Sequence, residues 1–428
     1  MTGVSTPTST TEIQRRVRIV LCCAQVVSSL GNGSTLALGS ILAVELSGDE
    51  ALAGTATTAL GLGAALAAVP LARLAAARGR RVALGAGLLL AIAGTFAMVG
   101  AVLASSYALL AVGSLLVGVA TAVNLQARFA VTDLAEPQHR GRDLSLVVWA
   151  ITVGAVLGPN TGRPGAALAN VLGLPTHAGA FVISAAGMVV GGTVILLFLR
   201  PDPLLVRRRL DDAPPMAKGA HTWAAGARIV AAHPVALAAV VGLVGAHATM
   251  VGVMSMTPLH IAHHMHDAGS PDTLEIIGMT ISLHIAGMYA LSPVMGVLTD
   301  RFGAYTVTAG GLVGTLAAAL LAGFGSAHLP VVTAALVLLG LGWSAASVAG
   351  ATMLTSALPP TQRVEAQGFG DALVSLVGAL SAALAGIVMG RVDYLGVGIA
   401  YGAVTVGAFL VLLALGRRTA SRSAVTAS

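Results

Sequence analysis

Apolar residues run through this chain in continuous blocks of about 20 or more, interrupted by short stretches that collect Arg, Asp, Pro and Gly. Strands that cross a bilayer would alternate, whereas continuous blocks of this length read as membrane-crossing helices, because only a helix satisfies every backbone polar group within its own segment. The breaks predict helices at 17–46, 51–76, 82–104, 107–134, 144–165 and 178–199, then at 234–257, 275–298, 305–325, 331–357, 365–390 and 397–416. One long polar stretch, about 200–222, separates the two sets. It contains Arg207, Arg208, Arg209, Asp211, Asp212, Pro214, Pro215 and Lys218. The expected organisation is a disordered Ser/Thr-rich start (1–16), a six-helix bundle (17–199), a linker with an amphipathic segment (200–233), a second six-helix bundle (234–416) and a short tail (417–428).

Composition agrees and removes the alternatives. With 56% hydrophobic and 9% charged residues and a mean hydropathy of +0.89, 428 residues cannot form a soluble globule with a covered core. The net charge of +6 reports topology. Of 23 Lys and Arg, Arg128 falls inside a helix and only Arg163 and Arg391 fall in loops on the side opposite the N-terminus. By the positive-inside rule both termini lie in the cytoplasm, in a multi-pass cytoplasmic (inner) membrane protein. A nucleic-acid surface would need its basic residues on one soluble face, so no nucleic-acid partner is expected. Cys22 and Cys23 are adjacent and near the cytoplasm, which excludes a disulfide framework. With no HExxH or G-K-[ST] pattern, neither an enzyme nor a cofactor is called for.

The halves repeat. Gly296-Val-Leu298-Thr-Asp300-Arg301-Phe-Gly303 follows the eighth segment, and 224 residues earlier Ala72-Arg-Leu74-Ala-Ala76-Ala77-Arg-Gly79-Arg80-Arg81 follows the second. These loops resemble the G-x-L-x-D-R-x-G-R-R loop of the major facilitator superfamily, carried after the second helix of each half. The C-terminal copy keeps Gly296, Asp300, Arg301 and Gly303; the N-terminal copy keeps Arg80 and Arg81 but has Ala76 in place of the acid. The fifth segment holds Gly154, Gly158, Pro159 and Gly162, similar to the antiporter motif of the same superfamily. The resemblance implies two pseudo-symmetric six-helix bundles related by an axis along the membrane normal, with segments 1, 4, 7 and 10 around a central cavity and transport by alternating access. Gly31-Asn32-Gly33-Ser34 predicts a broken or bent first helix that lines this cavity.

Candidate chemistry centres on neutral soft ligands. Met250 and Met254 in the seventh segment and His284 and Met288 in the eighth form MxxxM and HxxxM, with His247 one turn before Met250. Thioether and imidazole bind Cu(I) without adding fixed charge to the membrane interior. The motif pair resembles the CcoA-like copper importers of the superfamily, which implicates Met250, Met254, His284 and Met288 as metal ligands. His260, His263, His264 and His266 follow as the candidate entrance cluster, and Asp371 as the candidate coupling acid inside the second half. Copper uptake is thus one expectation, and proton-coupled efflux of an amphipathic drug or metabolite the alternative. The expected partners are a small solute or metal ion and the lipid bilayer, with a monomer as the functional unit.

Overall fold

A computed structural model describes residues 10–135, 140–210, 223–266 and 270–426. The expectations for residues 1–9, for most of the linker (211–222) and for 427–428 lie outside the described residues. The chain forms α1 (Thr10–Ser28), α2 (Leu30–Ser47), α3 (Thr55–Arg78), α4 (Arg80–Leu103), α5 (Tyr107–Thr132), α6 (Arg140–Leu157), α7 (Gly162–Leu172) and α8 (Ala178–Phe198). Two short helices follow, α9 (Pro203–Leu210) and α10 (Trp223–Ala232). The second half comprises α11 (Pro234–Met265), α12 (Pro271–Tyr289), α13 (Ser292–Phe302), α14 (Ala304–Phe324), α15 (Leu329–Ser356) and α16 (Pro360–Thr426).

Among the described residues, ten stretches are long and apolar enough to cross a bilayer. The last, Ala366–Gly416, has 51 residues and holds two spans. Its helical run turns back at Asp393, whose φ of 67° and ψ of −174° replace the expected loop. The α6–α7 pair, interrupted by a 3-10 turn at Pro159–Thr161, supplies the remaining span, giving twelve. The protein is therefore an all-α polytopic membrane protein of two six-helix bundles. Large apolar side chains such as Phe324 and Phe96 stay exposed on its perimeter, the surface a bilayer covers.

Three spans are broken. The first divides between α1 and α2 at Ser29, two residues before the predicted Gly-Asn-Gly-Ser bend. The fifth breaks at Pro159, and the eighth between α12 and α13. The N-terminus differs from expectation: α1 starts at Thr10, because Gln14 donates to the Val131 carbonyl (2.7 Å) and to Asp143 (2.6 Å), which anchors a segment that reads as polar tail in one dimension. The repeat is visible in the backbone. Gly79 (φ 93°, ψ 166°) and Gly303 (φ 86°, ψ 145°) turn the chain identically between the second and third spans of each half, a conformation that residues with a Cβ rarely adopt.

The cores describe the relative placement of the halves. One apolar cluster joins both, with Leu38, Ile41, Leu110 and Phe181 from the first half and Met250, Ile281, Leu336 and Val397 from the second. The other two clusters are each confined to one half. Val17, Leu21, Leu88 and Val123 pack in the first; Ala239, Leu312, Met353 and Leu412 pack in the second. The shared core occupies the end of the molecule far from the termini, and the separate cores lie at the end that carries them. The two halves therefore diverge towards the side of the termini.

Candidate functional site

The seam that seals the far end is built from backbone contact. A Cβ placed on Gly54 would overlap the carbonyl oxygen of Ala382, and one on Gly386 or Gly390 would come within 2.7 Å of the Gly54 nitrogen or 2.8 Å of the Ala51 nitrogen. Thr58 donates to the Ala379 carbonyl at 2.9 Å. Small residues thus bring α3 and the first arm of α16 together without side chains between them, as glycine does wherever two membrane helices approach closely.

The antiporter-like motif forms the other side of this seam. Gly154 leaves no room for a side chain beside the Val26 carbonyl, and a Cβ on Gly158 would sit 2.7 Å from the Cα of Gly33, so α6 packs directly on the break in the first span. Pro159 starts the 3-10 turn, which aims Asn160 across the interface. Asn160 donates to Ser282 at 2.6 Å, and Ser282 donates back to the Val156 carbonyl at 2.7 Å. Gly162 packs on Leu274, and Arg163 pairs with Glu275. Ser34 reinforces the break from within the first half, sharing hydrogen bonds of 2.7 Å with both Thr161 and Ser184.

Where the shared core ends and the separate cores begin lies the apex of the opening. Trp343 is half-buried and touches both the shared core and the core of the second half. Its indole N–H donates to Nδ1 of His247 at 3.1 Å, and the Tyr289 ring meets it edge-on at 5.8 Å. In the first half, Asn32 donates to Thr121 at 2.9 Å. The side-chain oxygens of Asn32 and Asn124 are buried without a hydrogen-bond partner, as is the Ser344 hydroxyl. Buried polar atoms without a protein partner are places where a ligand's own donors can be satisfied. Sequence reasoning did not single out Trp343, Tyr289 or Thr121. The available signal was rarity, since the chain has three Trp and five Tyr.

The predicted soft-ligand residues divide. Met250, Met254 and Met288 are buried in the shared core. His284 is fully buried; its Nδ1 bonds to the Leu336 carbonyl at 2.7 Å and its Nε2 has no partner. A carbonyl only accepts, so Nδ1 carries the hydrogen and Nε2 keeps a bare lone pair. His247 belongs to a different neighbourhood, with Trp343 on one nitrogen and Gly378 close to the other.

The histidine cluster at the far end also divides. His260 is buried, stacked on Tyr394 at 4.2 Å with its Nε2 donating to the Ser326 carbonyl, which makes it a packing residue in this conformation. His263, His264 and His266 are exposed, and His263 lies 3.7 Å from Glu50 of the other half.

At the side of the termini the two loop copies behave differently. Arg80 makes a two-pronged contact with Asp133 (2.9 and 3.2 Å) and donates to Gln126, all within its own half, while the Arg81 backbone N–H donates to Asp202. Burial pushes the Asp133 carboxyl above its usual range, and the Arg80 guanidinium only partly offsets this. Asp300 and Arg301 are exposed, Arg301 lying over the Phe302 ring, and Gly296 has open space around it. Asp371 is exposed on the first arm of α16.

Two broken, pseudo-symmetric six-helix bundles, sealed at one end and parted at the other, define a solute transporter. The sequence matches the Major Facilitator Superfamily over residues 21–271 and 261–428, and the chain belongs to that superfamily. It is 33% identical over 392 residues to the uncharacterized MFS-type transporter YddS of Bacillus subtilis (strain 168), covering 91% of this chain and 88% of the relative. It is 28% identical over 364 residues to the riboflavin transporter RfnT of Brucella anthropi, covering 83% and 85%. Among solved structures it resembles a bacterial homolog of the human lysosomal transporter Spinster, crystallised in an inward-facing and occupied conformation (TM-score 0.71, 16% identity, 96% of this chain and 98% of that one). It also resembles the nucleoside transporter NupG (TM-score 0.68, 16% identity, 93% and 98%). The protein is thus a secondary transporter that moves small solutes within the membrane.

Proposed function

We propose that the chain carries a neutral, planar aromatic solute of flavin-like size by alternating access, and that the conformation described is inward-facing. The arginine bias supports the direction, since it puts the open side in the cytoplasm. The observation that carries the substrate class is the apex. Trp343 and Tyr289 offer ring faces and edges, and the unpartnered oxygens of Asn32 and Asn124 offer acceptors, a combination that suits a flat ring with N–H donors. The riboflavin transporter among the relatives supports the same class. Asp371, exposed on the open side, is the proposed coupling acid, because a coupling carboxylate must reach water in one state.

The deciding measurement is uptake of labelled riboflavin into cells with and without the protein. Binding to purified protein is followed by quenching of Trp343 fluorescence in a Trp149→Phe/Trp223→Phe background. Trp343→Leu, read through the fluorescence of riboflavin itself, should weaken binding by about tenfold, the scale of one lost aromatic contact. Neither uptake nor quenching would remove the reading.

Copper uptake is the second reading, and one observation favours it. The bare Nε2 of His284, fixed by the bond from Nδ1 to a carbonyl, has the form of a metal-binding imidazole, and Met288 follows it by one turn. In that case Met250→Leu with His284→Leu abolishes copper accumulation and leaves riboflavin binding unaltered.

A further inference from the structure

A groove of about 560 Å³ opens on the outer surface between α1 and α8, at the end that carries the termini. Arg15 and Arg16 stand at its mouth, and Ile19, Val20, Cys23, Val194 and Phe198 form its body. Both arginines are exposed, as are Ile19 and Phe198. Arg16 is also held in place, because its Nε donates to the Phe198 carbonyl at the end of α8 (3.0 Å), which leaves its terminal nitrogens for another acceptor. Among the described residues, no carboxylate lines the groove.

The order of groups along the groove carries the argument. Two guanidinium groups lie where the first and sixth spans leave the membrane, and the apolar body continues from them towards the bilayer centre, one to two helical turns from Arg16 to Cys23. An acyl chain fits the body, and a phosphate at the mouth meets two planar donors suited to bidentate contact.

We propose that this groove is a site for an anionic phospholipid, with the headgroup phosphate on Arg15 and Arg16 and one acyl chain along Ile19, Cys23, Val194 and Phe198. The site lies within the first half, so the lipid braces α1 against α8 below the break at Ser29 without spanning the moving seam.

Cys23 provides the readout. Cys22 and Cys23 are the two cysteines of the chain, so Cys22→Ser leaves one exposed thiol inside the groove. In detergent-purified full-length protein, phosphatidylglycerol should slow maleimide labelling of Cys23 about tenfold more effectively than phosphatidylcholine, the direction and scale expected for two arginines at an anionic surface. Arg15→Gln/Arg16→Gln should abolish that preference while leaving the weak effect of phosphatidylcholine. Val194→Trp, which fills the body and keeps both arginines, should abolish protection by either lipid. Equal protection by the two lipids, protection by inorganic phosphate alone, or a preference that survives Val194→Trp would each overturn the proposal, the last because it would place the lipid on the arginines outside the groove. Native mass spectrometry supplies a second measurement free of labelling chemistry. Retained phosphatidylglycerol in the parent and its loss in the arginine variant are expected; equal retention in both overturns the site.

Discussion

The two ends of the interface between the halves are made of different materials. At the far end the halves meet backbone to backbone at Gly54, Gly386 and Gly390 and through a short hydrogen-bonded exchange between Asn160 and Ser282, with the exposed Arg163–Glu275 pair and His263 near Glu50 only at the solvent-facing rim. At the side of the termini the strong polar contact of Arg80 with Asp133 stays inside one half, and the matching residues Asp300 and Arg301 of the other are exposed. Glycine contacts have no reach: they hold only when the helices touch, and they vanish once the seam opens. Charged side chains hold at longer range and re-form with other partners. A seam of the first kind closes completely or not at all, which suits a gate that must exclude water.

Gly54→Val tests this most severely. The added side chain cannot coexist with the Ala382 carbonyl, so the closed far end is lost while each half keeps its own core. Transport is expected to fall to background, with cysteines placed at the far end becoming reactive to a membrane-impermeant maleimide. Labelling that stays at the parent level would show that the seam does not need the glycine.

Asn160→Ala removes the polar exchange and leaves the glycines. The expected cost is about 1 kcal/mol of closure, several-fold in the ratio of open to closed far ends, read from the same labelling assay. A loss as large as that of Gly54→Val would invert the ranking of the two contact types.

Asp133→Asn probes the other end through pH. Because the folded protein raises the Asp133 pKa, protonation is favoured in the folded state; that stabilisation is present in full below the unfolded pKa and is lost as pH rises through the folded one. The stability of the parent should therefore increase relative to Asp133→Asn as pH falls from neutral towards the ordinary carboxylate range, measured as the difference in melting temperature. A difference that moves the opposite way would mean that the Arg80 pair outweighs burial.

The smallest effect belongs to Arg163→Gln. Both partners of the Arg163–Glu275 pair are more than half exposed, so its loss should change closure by about 0.5 kcal/mol or less and should be masked by salt.

The amino-acid sequence by itself determined the class, the twelve spans, the division into halves and the repeat, because each depends on the cost of placing backbone and charge in hydrocarbon, a cost that composition and run length report directly. Gly79 and Gly303 were legible as matching positions of the repeat, whereas the positive φ that glycine permits there was shown by the backbone. Partnership was decided only by tertiary structure. His260 and His263 are one turn apart, yet the first stacks on Tyr394 and the second faces Glu50; His247 and His284 share a chemistry but belong to Trp343 and to Leu336. In a soluble protein an apolar stripe would mark the buried face of each helix. In a membrane, lipid and protein interior are equally apolar, so the sequence carries no such mark, and which residue meets which is settled by the packing of whole helices.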